Sequence, residues 1–495
     1  MAKEIELKLA IPLQAGKALR QHEVLGLAVS FDSKHLQNIY FDTPSLDLNK
    51  SRVALRIRQV DERYIQTLKT SGSSSGGLHE RGEWEWDVNG PALDLSLIDA
   101  DLLPEALDLE YLRQHLQPAF ETNFQRDRWL LNVSHEHLKA EIELVHDQGQ
   151  VLAQGKTDPI SEIELELKSG DADLLFKVAH DLSGTVPLLI SNISKGQRGF
   201  RLFAPEYAGL SAPATPAFND RHGLILAAQN ELDRFIAARD QIAFSRNWSE
   251  LETLYSSLRQ LRWCLLHLSR LTLPSALYLP TVLRYKLRMF SYSLEHLVTL
   301  YQQQNAWERL DHCPTALRNS ADFVQLNEHY QPLMSASWIG QTLIEVMQWL
   351  YLLNRDSESM PFVDKKAIFV DKDATFEALL NQVHLPRHPT DKVLWLRQQA
   401  PLLHLSRWLE YQFSEPSLGE KNLLKESLAL QRKISELSGL MAEEITLWQL
   451  SQQQADGIDN KLIKRNQDDQ YEMVLALGRQ ALSFNSLQQN LQRLS

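Results

Sequence analysis

Glu4, Glu6 and Lys8 alternate with Ile5, Leu7 and Leu9 in the opening "KEIELKL" stretch. On a strand this puts the ions on one face and the aliphatics on the other. "SEIELELK" at 161–168 does the same with Glu162, Glu164 and Glu166. Carboxylates at i and i+2 stand roughly 6.5–7 Å apart along a strand. That spacing can flank a hard, oxygen-seeking cation such as Mg²⁺ or Mn²⁺. Arg52, Arg56 and Arg58 share one strand face, and Arg126 and Arg128 another. Guanidinium groups in such rows suit polyanionic oxygens, which they bind in bidentate fashion. Carboxylates, a divalent cation and basic side chains together can carry out phosphoryl chemistry.

Two architectures accommodate these faces. An antiparallel sheet with one solvated side needs nothing further. A closed barrel with charges inside and helices outside also satisfies both faces. The charges are sorted, with acidic strands at both ends of the segment and basic strands between, and this favours the barrel. Its lumen then needs an occupant, because unpaired buried ions are costly.

The elements that must hold these residues fall in the first 200 positions. Period-two alternation predicts strands at 3–10, 37–42, 52–59, 63–70, 80–88, 124–134, 137–147 and 160–168. Helical patterns lie near 13–25, 96–116 and 171–182, and "SGSSSGG" at 71–77 reads as a flexible loop. "FAPEYAGLSAPATPAF" at 203–218 reads as an interdomain linker. Beyond it, Leu recurs at three- and four-residue spacing over 220–243, 249–271, 281–304, 337–354, 397–413 and 419–440, the mark of amphipathic helices. The expected organisation is a tunnel domain at 1–204, a linker at 205–217 and an all-α domain at 218–495.

Composition bounds the function. A chain of 495 residues, 43% hydrophobic and 23% charged, fits a soluble protein of two or three domains. No apolar run approaches a membrane span, and the first residues lack a signal-peptide core. Cys264 and Cys313 form no spaced pair, which points to the cytoplasm and away from a thiolate metal site. The first 200 residues hold 21 Lys and Arg against 31 Asp and Glu; the remainder holds 30 against 32. An acidic first half is a poor nucleic-acid binder unless its cations are focused in a site.

Several short motifs together resemble a known family. "EIELK" (4–8), "YFDT" (40–43), "ALRIR" (54–58), "QTLK" (66–69), the basic strand at 126–128, "EIELELK" (162–168) and "SKGQRGF" (194–200) follow in its order. The pattern resembles the CYTH superfamily, the triphosphate tunnel metalloenzymes. The helical region looks like the CHAD domain often fused to them, so the whole is similar to bacterial CYTH–CHAD inorganic triphosphatases. The resemblance implies an eight-stranded antiparallel β tunnel with outer helices, followed by an α-helical bundle. It implies that Lys8, Arg56, Arg58, Lys69, Arg126 and Lys195 cradle phosphates, with Arg128 or Arg198 contributing. It implies that Glu4, Glu6, Glu162 and Glu164 hold two Mg²⁺ or Mn²⁺ ions, with Glu143 or Asp147 nearby. Glu4 or Glu6 would also accept a proton from attacking water. The expected products from inorganic triphosphate are orthophosphate and pyrophosphate.

"GQVLAQGKT" (149–157) imitates a phosphate-binding P-loop, but has five residues between its glycines where the motif has four. A strand follows instead of a helix, so a hairpin connection is expected. His135 and His137 read as solvated positions near a turn. In the helical region Arg259 and Arg262, and Arg284 and Arg288, share faces that suit long-chain polyphosphate or are ordinary helical arginines. Rival functions are a nucleoside or thiamine triphosphatase or an adenylate cyclase in the same tunnel, and a polyphosphate-binding protein with little catalysis.

Overall fold

The computed structural model describes residues 5–70, 73–75, 78–80, 83–205, 221–269, 278–308, 313–319, 326–359, 372–386, 388, 390–412, 417–455 and 457–492. Glu4 and nearly all of the expected linker lie outside these residues. The chain divides into two compact units, one of residues 1–212 and 335–348, the other of 213–334 and 349–495.

The first unit is built on one antiparallel sheet. Its strands are β1 (Ile5–Ala10), β2 (Ala28–Asp42), β3 (Ala54–Val60), β4 (Arg63–Lys69), β5 (Ser73–Ser75), β6 (Leu78–Glu80), β7 (Glu83–Val88), β8 (Gln117–His135), β9 (Leu138–Ala153), β10 (Lys156–Gly170) and β11 (Leu189–Ile190). They run in the order β5-β6-β1-β10-β9-β8-β2-β3-β4-β7, with β11 on β1. The eleven strands among the described residues correct the expected eight. One long hairpin is broken into β4/β7 and β5/β6; joining these halves leaves eight strands plus the two-residue β11. The break has a consequence for shape. β7 ends one side of the sheet, while β6 pairs with β1 at the other. Only two residues separate β6 from β7, a span of roughly 11 Å at most between their end Cα atoms. The sheet must therefore curl until its two ends meet.

"SGSSSGG" contributes a strand at Ser73–Ser75 where a loop was expected, because main-chain pairing to β6 needs no side-chain pattern. The P-loop lookalike is a hairpin. Ala153 pairs with Lys156, and the two turn residues both have positive φ, 49° at Gln154 and 75° at Gly155. That is the backbone a two-residue primed turn requires. His135 and His137 are exposed at the β8–β9 turn.

The first-unit helices are α1 (Gly16–Arg20), α2 (Asp47–Lys50), α3 (Leu109–His115), α4 (Asp173–Ser183) and α5 (Lys195–Phe203). Leu7, Leu9, Ile142, Leu144, Ile163 and Leu165 form the outer aliphatic face and are fully buried. The buried side of α4, with Leu175, Phe176 and Ala179, packs on β8, β9 and β10. A second outer cluster joins Leu48, Val53, Leu55, Leu68, Ile98 and Leu112, with Trp84 and Trp86 packed against it. Each such side chain contributes about 1.5–3 kcal/mol on burial, which fixes the strand faces and turns the ionic residues inward.

The second unit is helical. Its chain segments carry α6 (Arg221–Ser245), α7 (Glu250–Leu268), α8 (Thr281–Glu308), α9 (Thr315–Arg318), α10 (Leu326–Met334), α11 (Ser337–Ser359, shared with the first unit), α12 (Lys372–Leu380), α13 (Lys392–Arg397), α14 (Gln399–Gln412), α15 (Leu418–Gln452) and α16 (Asn460–Gln492). No described helix is long and apolar enough to cross a membrane.

Candidate active site

Register decides which ions meet. Lys8 pairs with Glu164, Glu162 with Asp147, and Asp147 with Arg126. Arg126 continues to Lys34, Asn38 pairs with Thr122 and Arg58, and Tyr40 with Arg56. Directly paired residues of an antiparallel sheet share a face. Four of the expected phosphate ligands and three of the expected metal ligands therefore lie on one inner surface spanning β1, β10, β9, β8, β2 and β3.

α5 closes one end of that surface. Ser194 caps it through a reciprocal capping box with Gln197. A Cβ on Gly199 would lie 2.0 Å from the Phe120 ring, so only glycine lets the helix seat this closely. Phe200 packs edge-on against Phe120 at 5.0 Å. Lys195, in the first turn, is thereby aimed at the acidic strands. Its ammonium lies 2.6 Å from Asp147 and 3.3 Å from Glu164, and also bonds Glu162.

Asp147, Glu162 and Glu164 form the acidic centre, each offering an oxygen within 4.8 Å of the others. Asp147 and Glu162 are fully buried. Arg126 grips Asp147 in a fork, Nε at 2.7 Å and Nη2 at 2.6 Å, and reaches Glu164 at 3.0 Å. Lys8 bonds Glu164 and lies 3.7 Å from Glu162. Burial opposes ionisation of Glu164, but Lys195, Lys8 and Arg126 overcome it and hold the carboxyl well below its usual range. Burial likewise opposes the charge on Lys8, and Glu164 and Glu162 outweigh it, raising that ammonium. One oxygen takes no hydrogen bond: Glu162 Oε2 is buried, with Arg198 Nε 3.9 Å away as an ion-pair neighbour. Three carboxylates with an open lone pair are the donor set of a hard divalent cation, so the residues fit one.

The opposite wall is basic and poorly neutralised. Arg56 is buried, donates to the Tyr40 hydroxyl at 3.2 Å and lies 3.7 Å from Glu83. Arg58 Nε donates to the neutral Asn38 Oδ1 at 2.9 Å. Burial, together with Arg56 and Arg126, pushes Arg58 down to about 9. Burial would raise the Tyr40 hydroxyl, yet Arg56, Arg58 and Lys195 pull it below its ordinary range. Lys69 is paired with Glu83 at 2.6 Å.

The remaining expected residues lie around this centre. Arg198 Nη1 is 3.3 Å from Asp158 on the α5 side, where Arg201 joins at 3.2 Å, and its Nε stands 3.9 Å from Glu162. Arg128, half exposed, bonds Asp32 at 2.6 Å and reaches Glu143 at 3.4 Å. Glu6 is paired with Glu166, one pleat outward from the Lys8–Glu164 pair, and stands outside the three-carboxylate group. Glu143 interacts with Arg128 and Lys168 instead of the acidic centre. Tyr40, Asn38 and Asp158 were not foreseen. Tyr40 and Asn38 share the parity that pairs them with Arg56 and Arg58; Asp158 carries no such signal.

Residues 2–200 match the family model of the CYTH domain. A Haemophilus influenzae protein named inorganic triphosphatase is 37% identical over 208 residues, 42% of this chain. The alignment spans 57% of that protein, so the chain covers little more than half of this relative. Among solved structures, a Hippeastrum adenylyl cyclase candidate described as having dominant triphosphatase activity is 21% identical. It covers 41% of this chain and 96% of its own, with a TM-score of 0.28. An adenylate cyclase candidate from Bacillus halodurans is 23% identical over 40% of this chain and all of its own, with a TM-score of 0.25.

Proposed function

We propose that the first unit hydrolyses inorganic triphosphate to pyrophosphate and orthophosphate, with Mg²⁺ or Mn²⁺ at Asp147, Glu162 and Glu164. The observation that carries this is one inner face that joins the Asp147–Glu162–Glu164 group to Lys8, Arg126, Arg56 and Arg58, where half-buried Arg58 is repelled by Arg56 and Arg126. A polyanion relieves that repulsion, and a cation satisfies the Glu162 oxygen that no hydrogen bond reaches. The relative named inorganic triphosphatase supports the choice of substrate.

The chain's own residues would act as follows. Without substrate, Lys8, Lys195 and Arg126 neutralise the carboxylates. With substrate bound, these donors turn to phosphate oxygens, and Arg56 and Arg58 grip the chain from the other wall. The bound cation would supply charge neutralisation at the phosphate and a lowered pKa for attacking water. Glu6 or Glu4 would accept that proton. Positioning and charge neutralisation are the catalysis here, as phosphoryl transfer requires.

Tripolyphosphate incubated with the full chain should release orthophosphate and pyrophosphate only when Mg²⁺ or Mn²⁺ is present, and excess ATP should inhibit weakly. Preference for ATP, or cyclic product from it, would move the activity to an organic triphosphate.

We further propose that the helical unit binds long polyphosphate through Arg259 and Arg262. α7 packs on α8, and the charge on Arg262 is opposed by burial, then by Arg259 on its own helix and Arg288 on α8, which places three cations near one another. Binding of polyphosphate that is lost in Arg259→Ala/Arg262→Ala tests it; unchanged binding removes it.

A further inference from the structure

The second unit contains a cavity of about 480 Å³ between α8, α15 and α16, independent of the tunnel. Its floor is Glu443 on α15, 2% exposed. Glu443 Oε2 accepts from Asn466 Nδ2 at 2.7 Å, and Asn466 is itself held by the Leu440 carbonyl at 3.0 Å. Glu443 Oε1 is buried and has no hydrogen-bond partner. Leaving such a carboxylate oxygen dry and unshared is costly, so the site calls for a donor.

The cavity walls say what kind of donor. Leu440, Met473 and Ala476 give an apolar side suited to a carbon stem. Asp469 and Glu472 add negative charge, while Lys433, Arg465 and Arg479 supply an equal number of cations. A bare metal ion is a poor fit. Among the described residues, only Asp147, Glu162 and Glu164 bring three such ligands together. A polyamine would meet the three basic side chains. A polyanion would meet the three acidic ones.

We propose that this cavity binds a small zwitterion, its ammonium on Glu443 Oε1 and its acidic group toward Lys433, Arg465 and Arg479. The volume falls in the range of ordinary small-molecule sites. Burial pushes the Glu443 carboxyl up to about 7, Asp469 adds to this, and Asn466 and Arg465 oppose it. An ammonium at Oε1 removes the penalty and draws off the proton.

Calorimetric titration of the full chain tests this with 6-aminohexanoate and phosphoethanolamine, which carry a carboxylate and a phosphate. Hexanoate, without the ammonium, is the control. At least one zwitterion should bind and hexanoate should not. Glu443→Gln, which keeps the side-chain shape, should weaken binding roughly tenfold or more. Arg479→Ala, on the exposed rim, should weaken it less and covers the case in which Glu443→Gln fails to fold. Near neutral pH the binding heat should vary with the ionisation enthalpy of the buffer, because Glu443 releases a proton. Failure of both zwitterions to bind, or binding unchanged in the folded variants, overturns the proposal. None of these readouts depends on triphosphate hydrolysis.

Discussion

Lys195, in the first turn of α5, lies 2.6 Å from Asp147, which the β9 ladder pairs with Arg126 and Glu162. A helix that follows the sheet in sequence thus supplies a counter-ion at the sheet's inner centre. Lys195→Ala should leave Asp147 and Glu162 undercompensated and destabilise the first unit by about 3 kcal/mol or more. Added Mg²⁺ should recover part of that loss. Thermal unfolding with and without Mg²⁺, beside an activity assay, checks both effects.

Arg58 should show opposite effects on stability and on substrate binding. Arg58→Gln keeps a donor for Asn38 and removes a half-buried charge repelled by Arg56 and Arg126. The unliganded protein should gain roughly 1 kcal/mol of stability, because the relief of like-charge repulsion at a solvent-screened site is partly offset by the guanidinium packing and hydrogen bonding that the amide does not replace. The KM for tripolyphosphate should rise roughly tenfold or more with the lost charge-assisted bonds. A denaturant melt and a substrate titration on the same preparation decide it.

Gly199 is where the closing helix meets Phe120. Gly199→Ala should push α5 away, because its Cβ would lie 2.0 Å from that ring. The expected cost is about 1–3 kcal/mol, with a lower kcat from the displaced Lys195. Wild-type stability and kcat in this variant would show that the helix has slack.

Much of this arrangement was legible because ionic and aliphatic residues alternate. Glu6 and Lys8, Arg56 and Arg58, and Glu162 and Glu164 declare their shared faces through the outward Leu and Ile between them. The outer parts of the long strands were not legible. β2 begins at Ala28, well before the expected 37, because exposed residues such as Val29 and Phe31 break the inside–outside pattern. "SKGQRGF" was read as a motif, yet its being a helix rests on the Ser194 cap and the Gly199 contact, neither of which has a periodicity. α16 was not among the helical stretches read from the sequence, since polar and charged residues dominate its first half. The buried carboxyl of Glu443 depends on that helix and could not have been foreseen.

Glu443 also makes a prediction about pH. Its folded value, about 7, lies above the ordinary 4.5, so the neutral form is favoured in the folded state. A raised value contributes stability that is fully present below the unfolded pKa and lost as pH rises through the folded one. The helical unit should therefore lose stability between about pH 4.5 and 7, by up to roughly 3 kcal/mol. Glu443→Gln should flatten that slope. Urea melts across this window, followed by a probe of the helical unit, give the answer; an identical slope in the variant would remove Glu443 as the cause.

The most direct measurement is ³¹P NMR of tripolyphosphate with Mg²⁺ or Mn²⁺, comparing the wild-type chain with Glu162→Gln/Glu164→Gln. The wild type should convert the substrate to pyrophosphate and orthophosphate in equal amounts, only with metal present. The folded double variant should be slower by roughly a hundredfold or more. A folded wild type that leaves tripolyphosphate intact, or a double variant that hydrolyses it at the wild-type rate, would contradict the account.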